Sequence, residues 1–297
     1  MITATVCIPH VNTPWYLDGC LKCIAAHQHP ELALDLIVID QSDERYMKQA
    51  CAASMNGRAT YLSTTRVDAG YPIDVALKMA KGEYFCSLDC DAFPMHKNWL
   101  WLPIQCIKGG IAEWVGVDTG LSQAYSKKGK WVHLNNYFRA SKTTDAKAAS
   151  EAVGFMRYGN RGRIPFVPTD KTWESLGEPL DCDNGVIAQW WSKVRKLSLS
   201  PCRALGRTPE MGVYGMVIDD LVFHLVFGWG EEWIPNLEKT LGCDYLALRE
   251  QMQRGFGTEL ITQLALKCSF NDDYSRTVDG VLVSSEVNSQ IEEWKRV

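Results

Sequence analysis

Long hydrophobic runs are missing from this 297-residue sequence, although 46% of its residues are hydrophobic. A membrane-spanning helix needs about 20 consecutive apolar residues, and no stretch approaches that length. The first nine residues form a short β-like run without the basic residues that open a signal peptide. We therefore expect a globular, cytoplasmic protein with no transmembrane segment.

Paired cysteine motifs are also scarce, although the chain contains 11 cysteines. Cys20 and Cys23 form one Cys-x-x-Cys, but no second pair follows at the spacing of a zinc site. Several others lie in apolar runs, and nothing in the sequence marks secretion. We expect reduced thiols, with Cys20 and Cys23 packing one face of a helix.

An excess of one charge is absent overall, since the formal net charge is only −4. This balance conceals a basic block over 127–207, which has 15 Lys and Arg against 7 Asp and Glu. The block carries +8 and the rest of the chain −12. Most charged stretches are solvated surface, but a basic face is also typical of proteins that bind phosphate groups.

Apolar periodicity predicts strands and helices that alternate through the first hundred residues. Predicted strands cover 3–9, 34–39, 61–64 and 84–88, and predicted helices cover 15–27, 45–55, 73–81 and 99–107. Short connections between them favour a Rossmann-like, mostly parallel sheet flanked by helices. Farther along we predict a strand over 114–117, an irregular loop region over 127–163, a helix over 186–194, a strand over 214–227, and helices over 237–254 and 285–296.

Two carboxylates, Asp89 and Asp91, follow the buried strand 84–88 directly. The carboxyl edge of an open α/β sheet is where ligands bind, and two hard oxygen ligands suit Mg²⁺ or Mn²⁺. The alternative is an acidic turn that Pro94 terminates. The Asp-x-Asp pattern alone does not decide between them.

Val38-Ile39-Asp40-Gln41-Ser42 and the run 74–84 are two longer motifs that precede the Asp-x-Asp. The first resembles the second-strand signature of family 2 glycosyltransferases, and the second resembles that family's run into the Asp-x-Asp strand. Asp74 stands where the family usually has Asn, and Ala76 where it has Gly. The resemblance implies a GT-A fold, a nucleoside diphosphate sugar donor, and Mn²⁺ or Mg²⁺. It places donor binding at Pro9, Asp40, Asp74 and Asp89.

The same resemblance implies a division of the chain and a catalytic base. We expect a GT-A domain over 1–235, with a nucleotide-sugar half (1–110) and an acceptor half (111–235), and a C-terminal helical extension over 236–297. Asp183 is the first candidate for the base and Asp181 the second, because the family places an acidic motif about there. Alternatively, Asp183 only caps the helix that follows. Glu231 and Glu232 are a third choice.

His224 is the last histidine in the chain, and many GT-A enzymes use a late histidine as a metal ligand. The resemblance thus implies a metal set of Asp89, Asp91 and His224. Most histidines among apolar neighbours are satisfied core residues instead. For the acceptor side we choose Arg161 and Arg163, in the basic block, and expect a glycan, a lipid carrier or a modified nucleic acid.

Two other functions remain open at this point. A nucleotidyltransferase also uses metal-bound carboxylates on an α/β sheet, but it normally has a Gly-rich basic loop after the first strand. Here 9–14 contains neither glycine nor a basic residue, which argues against that class. The second alternative is a non-catalytic module that binds nucleotide sugars or glycans.

Overall fold

The computed structural model describes residues 1–118, 134–155, 185–199, 201–203, 214–226 and 276–297. Within these ranges the protein is an α/β structure with a main sheet of nine strands and a smaller sheet of four. The expected α/β class, with a largely parallel sheet flanked by helices, is confirmed.

The strands and helices follow the predicted alternation in the first half of the chain. The strands are β1 (Ile2–His10), β2 (Leu32–Asp40), β3 (Thr60–Ser63), β4 (Tyr84–Leu88), β5 (Ala92–Pro94), β6 (Trp114–Gly116), β7 (Phe138–Lys142), β8 (Lys196–Ser198), β9 (Pro201–Arg203), β10 (Tyr214–Ile218), β11 (Val222–Val226), β12 (Thr277–Val278) and β13 (Val281–Leu282). The helices are α1 (Pro14–Ala26), α2 (Glu44–Asn56), α3 (Tyr71–Met79), α4 (Trp101–Lys108), α5 (Thr143–Ala152), α6 (Val186–Ser192) and α7 (Ser285–Arg296).

The main sheet has the strand order β13-β12-β8-β6-β7-β4-β1-β2-β3, and the smaller sheet has the order β5-β11-β10-β9. The longest parallel part of the main sheet is formed by β3, β2, β1 and β4. Every residue of β4 is buried, which agrees with a strand covered by helices on both faces. Because parallel strands run in the same direction, their carboxyl ends lie at one edge of the sheet. Asp40 and Asp89, which end or follow β2 and β4, therefore lie along a common edge of the sheet.

Gly82 sets the approach of β4 to β1. Its N–H donates to the Thr5 hydroxyl at 3.0 Å, and a Cβ at this position would lie only 2.5 Å from the Thr5 backbone nitrogen. Real Cβ atoms do not come that close to backbone, so only glycine fits. The contact fixes where β4 starts and therefore where it delivers Asp89.

Two predictions about the chain beyond its first hundred residues are wrong. The stretch 214–227 is not one strand, because Asp219 and Asp220 adopt positive φ of 52° and 58° and turn the chain into the hairpin β10–β11. The stretch 127–163 is not irregular throughout, since it contains β7 and α5. β7 pairs antiparallel with both β4 and β6 and fills the sheet beside the Asp-x-Asp strand.

The C-terminal part contributes strands as well as a helix. β12 pairs antiparallel with β8 and joins the main sheet, and the predicted helix over 285–296 is confirmed as α7. The helix predicted over 237–254 lies outside the described residues. In the described ranges no helix is both long and apolar enough to cross a bilayer.

The seven cysteines whose side chains the structure describes form no disulfide. Among them, Cys20 and Cys23 are buried on α1. Burial raises the pKa of the Cys23 thiol to about 12, so the group stays protonated and packs as a small apolar side chain.

Candidate metal and nucleotide-sugar site

The carboxylates of Asp89 and Asp91 and the imidazole of His224 meet at the carboxyl end of β4. One ligand atom from each of the three residues lies within 4.8 Å of the others. The Nε2 atom of His224 is 3.4 Å from Oδ1 of Asp91. Strand pairing explains the meeting, because His224 on β11 stands opposite Ala92 on β5, the residue after Asp91.

The structure brings Tyr137 into the same group, and the sequence reasoning missed its position there. The Tyr137 carbonyl accepts the N–H of Asp89 at 3.1 Å. Its ring stacks on His224, with centroids 4.0 Å apart and planes 9° from parallel. Tyr137 therefore orients both the acidic turn and the imidazole. An aromatic residue just before β7 was visible in the sequence, but the partner of its ring was not.

The donor set fits a divalent cation. Two carboxylates and one imidazole are common ligands of such ions. Nδ1 of His224 is buried and has no hydrogen-bond partner in the described structure, and Nε2 faces the Asp91 carboxylate. A histidine that only filled the core would normally have both polar atoms satisfied.

Asp40 ends β2 in a buried hydrogen-bond network. Its carboxylate accepts from His10 Nδ1 at 2.9 Å, the Ser42 backbone N–H at 2.9 Å and the Tyr61 hydroxyl at 2.6 Å. His10 Nε2 accepts the Thr13 N–H at 3.2 Å, so the hydrogen lies on Nδ1 and points at Asp40. The fully buried carboxylate of Asp40 holds this network together. Direct contact between Asp40 and the donor stays a prediction.

The charge of Asp40 is stabilised within the fold. Burial raises the pKa of this carboxyl, but the hydrogen bonds from His10, Ser42 and Tyr61 outweigh burial and lower the pKa to about 2. Burial and the Asp40 charge together raise the pKa of the Tyr61 hydroxyl, which keeps it a donor.

This shift leads to a pH dependence of stability. The folded pKa of Asp40 lies below its unfolded value, so its contribution is present above pH 4 and is lost as the pH falls towards 2. We expect the wild type to be more stable than Asp40→Asn at pH 7, and this difference in unfolding free energy to shrink by up to about 2 kcal/mol between pH 5 and pH 2. Urea unfolding of both proteins across that range measures it. A difference that does not change with pH would contradict the prediction.

Loops at the ends of β1 and β2 are tied to each other beside this network. Asn12 donates to Asp43 Oδ2 at 3.0 Å, and the Asp43 N–H donates back to Asn12 Oδ1 at 2.8 Å. The Asn12 N–H also donates to Ser42 Oγ at 2.7 Å. The edge formed by 11–13 and 41–43 is therefore preorganised and partly open to solvent.

Asp74 and Pro9 occupy different environments. Asp74 accepts from Ser150 Oγ at 2.6 Å and from the Phe155 N–H at 2.9 Å, so it ties α3 to the end of α5. Burial raises the pKa of Asp74, and those hydrogen bonds oppose the rise. Pro9 lies partly buried near the end of β1, opposite Ile39. Donor binding by either residue stays a prediction.

The remaining predicted site residues lie outside the described ranges. These are the candidate bases Asp183, Asp181, Glu231 and Glu232, and the acceptor-side residues Arg161 and Arg163. The structure therefore brings together the three predicted metal ligands and tests none of the predicted base or acceptor residues.

One basic residue of the 127–207 block is buried beside the site. Arg139 on β7 stands opposite Ser87 and is 3% exposed. Its guanidinium stacks on Trp114 and Phe155 at 5.0 and 4.6 Å. Burial lowers the pKa of Arg139 to about 9. At least this part of the basic block belongs to the interior rather than to a surface for phosphate.

Comparison with protein-family models identifies the segment that carries β1 to β4 and the Asp-x-Asp turn. Residues 5–102 match the glycosyl transferase family 2 model. The resemblance inferred from 38–42 and 74–84 is thus confirmed over residues 5–102, which we call the family 2 segment. The segment includes Asp89 and Asp91, whereas His224 lies beyond it. No curated protein sequence matches the chain significantly.

Solved structures show a partial likeness to this chain. TarS from S. aureus has 18% identity and a TM-score of 0.40, over 52% of this chain and 30% of TarS. The mannosyltransferase PcManGT from Pyrobaculum calidifontis, in complex with GDP-Man and Mn²⁺, has 17% identity and a TM-score of 0.40, over 52% of this chain and 47% of that one. Glucosyl-3-phosphoglycerate synthase from Mycobacterium tuberculosis, with Mn²⁺ and UDP-Glc, has 13% identity and a TM-score of 0.40, over 48% and 57%. The likeness spans less than two thirds of each of these proteins.

Proposed function

We propose that this protein transfers a sugar from a nucleoside diphosphate sugar to an acceptor hydroxyl and that the reaction depends on a divalent metal. The observation that carries the proposal is the meeting of Asp89, Asp91 and His224 at the carboxyl end of β4. Asp89 and Asp91 lie within the family 2 segment. His224 comes from a distant strand that pairs beside them, which an accidental acidic turn would not require.

The donor set favours Mn²⁺ over Mg²⁺. Mg²⁺ prefers six oxygen ligands, whereas Mn²⁺ also accepts imidazole nitrogen. When bound, such an ion neutralises the charge that develops on the leaving diphosphate. The protein's own task is to keep Asp89, Asp91 and His224 converged, and Tyr137 supports it by contacting two of the three.

We place the donor's nucleoside against the edge formed by 11–13 and 41–43. This edge lies at the carboxyl ends of β1 and β2, next to β4, where ligands of open α/β sheets bind. The buried pair of His10 and Asp40 holds both loops in place. Preorganised loops lower the entropy cost of binding a flexible nucleotide.

Inversion at the sugar carbon requires a base that takes the acceptor's proton from the face opposite the diphosphate. We assign this role to Asp183, with Asp181 as the second candidate. Both precede α6, whose first residue follows Gly185. A carboxylate there has a helix-capping role as its alternative.

The acceptor is proposed to be polyanionic. The block 127–207 carries a net charge of +8, which even without the buried Arg139 is more than the two phosphates of a donor require. An acidic glycan, a lipid diphosphate carrier, or nucleic acid with a hydroxymethylated base would match this charge. Arg161 and Arg163 are the proposed contacts on this side.

The test is release of nucleoside diphosphate from a panel of UDP-, GDP- and dTDP-sugars, each with Mn²⁺, Mg²⁺ or chelator. We expect release with one donor class, faster with Mn²⁺ and absent with chelator. Candidate acceptors should raise the rate, and high salt should weaken use of a polyanionic acceptor. Arg161→Ala with Arg163→Ala should reduce acceptor use while slow donor hydrolysis stays unchanged.

The same assay, with nucleoside triphosphates added to the panel, identifies the alternatives. Donor binding without any release would indicate a non-catalytic module, and pyrophosphate release from a nucleoside triphosphate would indicate a nucleotidyltransferase.

Asp183→Asn should lower the rate at unchanged donor affinity, as expected for a group that acts in the transition state. A rate unchanged in both Asp183→Asn and Asp181→Asn would remove these residues as bases.

A further inference from the structure

The hairpin β10–β11, which carries His224, is attached to the body of the protein at its tip. The tip consists of Asp219 and Asp220. Asp219 is 7% exposed, unusual for an aspartate in a turn. Its carboxylate faces the C-terminal part of the chain, which lies outside the family 2 segment.

Arg276 binds this carboxylate through one edge of its guanidinium. Nε donates to Asp219 Oδ2 at 2.8 Å, and Nη2 donates to Oδ1. The remaining donors reach α7, where Nη1 contacts Asn288 Oδ1 at 2.7 Å and Nη2 contacts Glu292 Oε1 at 2.5 Å. Such a bidentate pair fixes direction as well as distance. Arg276 thus connects the hairpin tip to the helix.

Helix α7 makes a second connection to the same tip. Lys295 Nζ lies 3.1 Å from Asp220 Oδ2 and 3.4 Å from Asp219 Oδ1. These contacts are partly shielded, since the Lys295 side chain is 18% exposed.

The same C-terminal end of α7 is also fixed to the segment that follows Asp91. Asn98 Nδ2 donates to the Lys295 carbonyl at 2.8 Å, and Lys97 Nζ donates to the Val297 carbonyl at 2.6 Å. Lys97 and Asn98 lie just after β5, whose start adjoins Asp91. One helix therefore contacts both parts of the chain that supply the metal ligands.

We propose that Arg276 is a positioning residue for the metal site, and that α7 with Arg276 clamps the β10–β11 hairpin so that His224 stays at its distance from Asp91. The inference rests on the proposed function, because it concerns the same three ligands. It adds a part of the chain that no motif pointed to, and it assigns a role to the C-terminal segment.

The geometry of the small sheet explains why a clamp is needed. β11 pairs with β5 through only three residue pairs, and β5 itself has three residues. Strands this short hold their position weakly unless other contacts support them. Release of the tip would let β11 shift or fray, and a small displacement of the imidazole weakens a metal site.

The test is titration of the full-length protein with Mn²⁺ alone, followed by the electron paramagnetic resonance signal of the free ion. For Arg276→Gln we expect the Kd for Mn²⁺ to rise about tenfold, in the range seen when partners of metal ligands are removed. For Arg276→Lys, which keeps the charge and loses the fork, we expect a smaller rise of about threefold. Hydrogen exchange of 214–226 should speed up in both variants while exchange of β1 and β4 stays unchanged.

The matched control is Glu113→Gln, which removes the exposed ion pair with Arg195 elsewhere on the sheet. Its Kd for Mn²⁺ should equal that of the wild type. If Arg276→Gln does not fold, the same two measurements on Arg276→Lys test the proposal. A folded Arg276 variant whose Kd for Mn²⁺ and hydrogen exchange both equal those of the wild type would overturn the clamp. Absence of Mn²⁺ binding by the wild type would instead overturn the metal site itself, and the clamp with it.

Discussion

Asp91→Asn is expected to reduce sugar transfer by at least about a thousandfold, since it removes a charged ligand where the leaving group's charge must be neutralised. Asp91 is 7% exposed and lies 3.4 Å from His224. Asparagine has nearly the same shape, so the fold should be retained. Release of nucleoside diphosphate measures the rate, and circular dichroism checks the fold. Asp18→Asn, at an exposed pair with Lys22 on α1, is the control and should keep full activity.

A graded result at His224 separates its two possible roles. His224→Ala should raise the Mn²⁺ concentration needed for half-maximal rate, with part of the activity restored at saturating metal. An unchanged metal requirement together with lower thermal stability would return His224 to the core. Full activity of Asp91→Asn in chelator would remove the metal assignment altogether.

Gly82→Ala is expected to have the largest effect on stability. The added methyl group would lie 2.5 Å from the backbone nitrogen of Thr5 and 2.6 Å from the carbonyl carbon of Ala4. Backbone cannot yield as a flexible side chain does, so β4 must move away from β1. We expect a loss of about 3 kcal/mol or more in the free energy of unfolding.

Gly110→Ala provides the comparison for that substitution. Gly110 has a φ of +70°, but a methyl group added there would meet nothing within 4 Å. Its replacement should cost only the left-handed backbone strain of about 1 kcal/mol. Urea unfolding of both variants measures the difference. Equal losses would show that the contact between Gly82 and β1 does not control stability.

The sequence predicted the first hundred residues well because the signals there are local. Apolar runs, short turns and the two motifs each describe a few neighbouring residues, and the family 2 match covers the same stretch. Asp89 and Asp91 could be placed because they follow a strand that the pattern itself defines. His224 was proposed from its order in the chain, and its nearness to Asp91 depends on a pairing of β11 with β5 that periodicity cannot show.

Other features had no local signal. The turn at Asp219 and Asp220 contains neither glycine nor proline and lies within an apolar run. The sequence pattern therefore predicted a single strand where the structure has a hairpin. The burial of Asp40 depends on His10 and Tyr61, which come from neighbouring strands. The bond between Arg276 and Asp219 joins residues far apart in the chain, and charged residues usually indicate solvated surface.

The pairing of β11 with β5 also has a consequence for the order in which the protein matures. Chains are made from the N-terminus at about 5–20 residues per second, and early segments fold first. The ribosome therefore releases β1 to β4, with Asp89 and Asp91, well before β11 and α7 emerge. A nascent chain at that stage has two of the three proposed ligands and lacks the proposed clamp. If the three residues bind a metal ion as proposed, tight binding then waits until β11 and α7 have been synthesised.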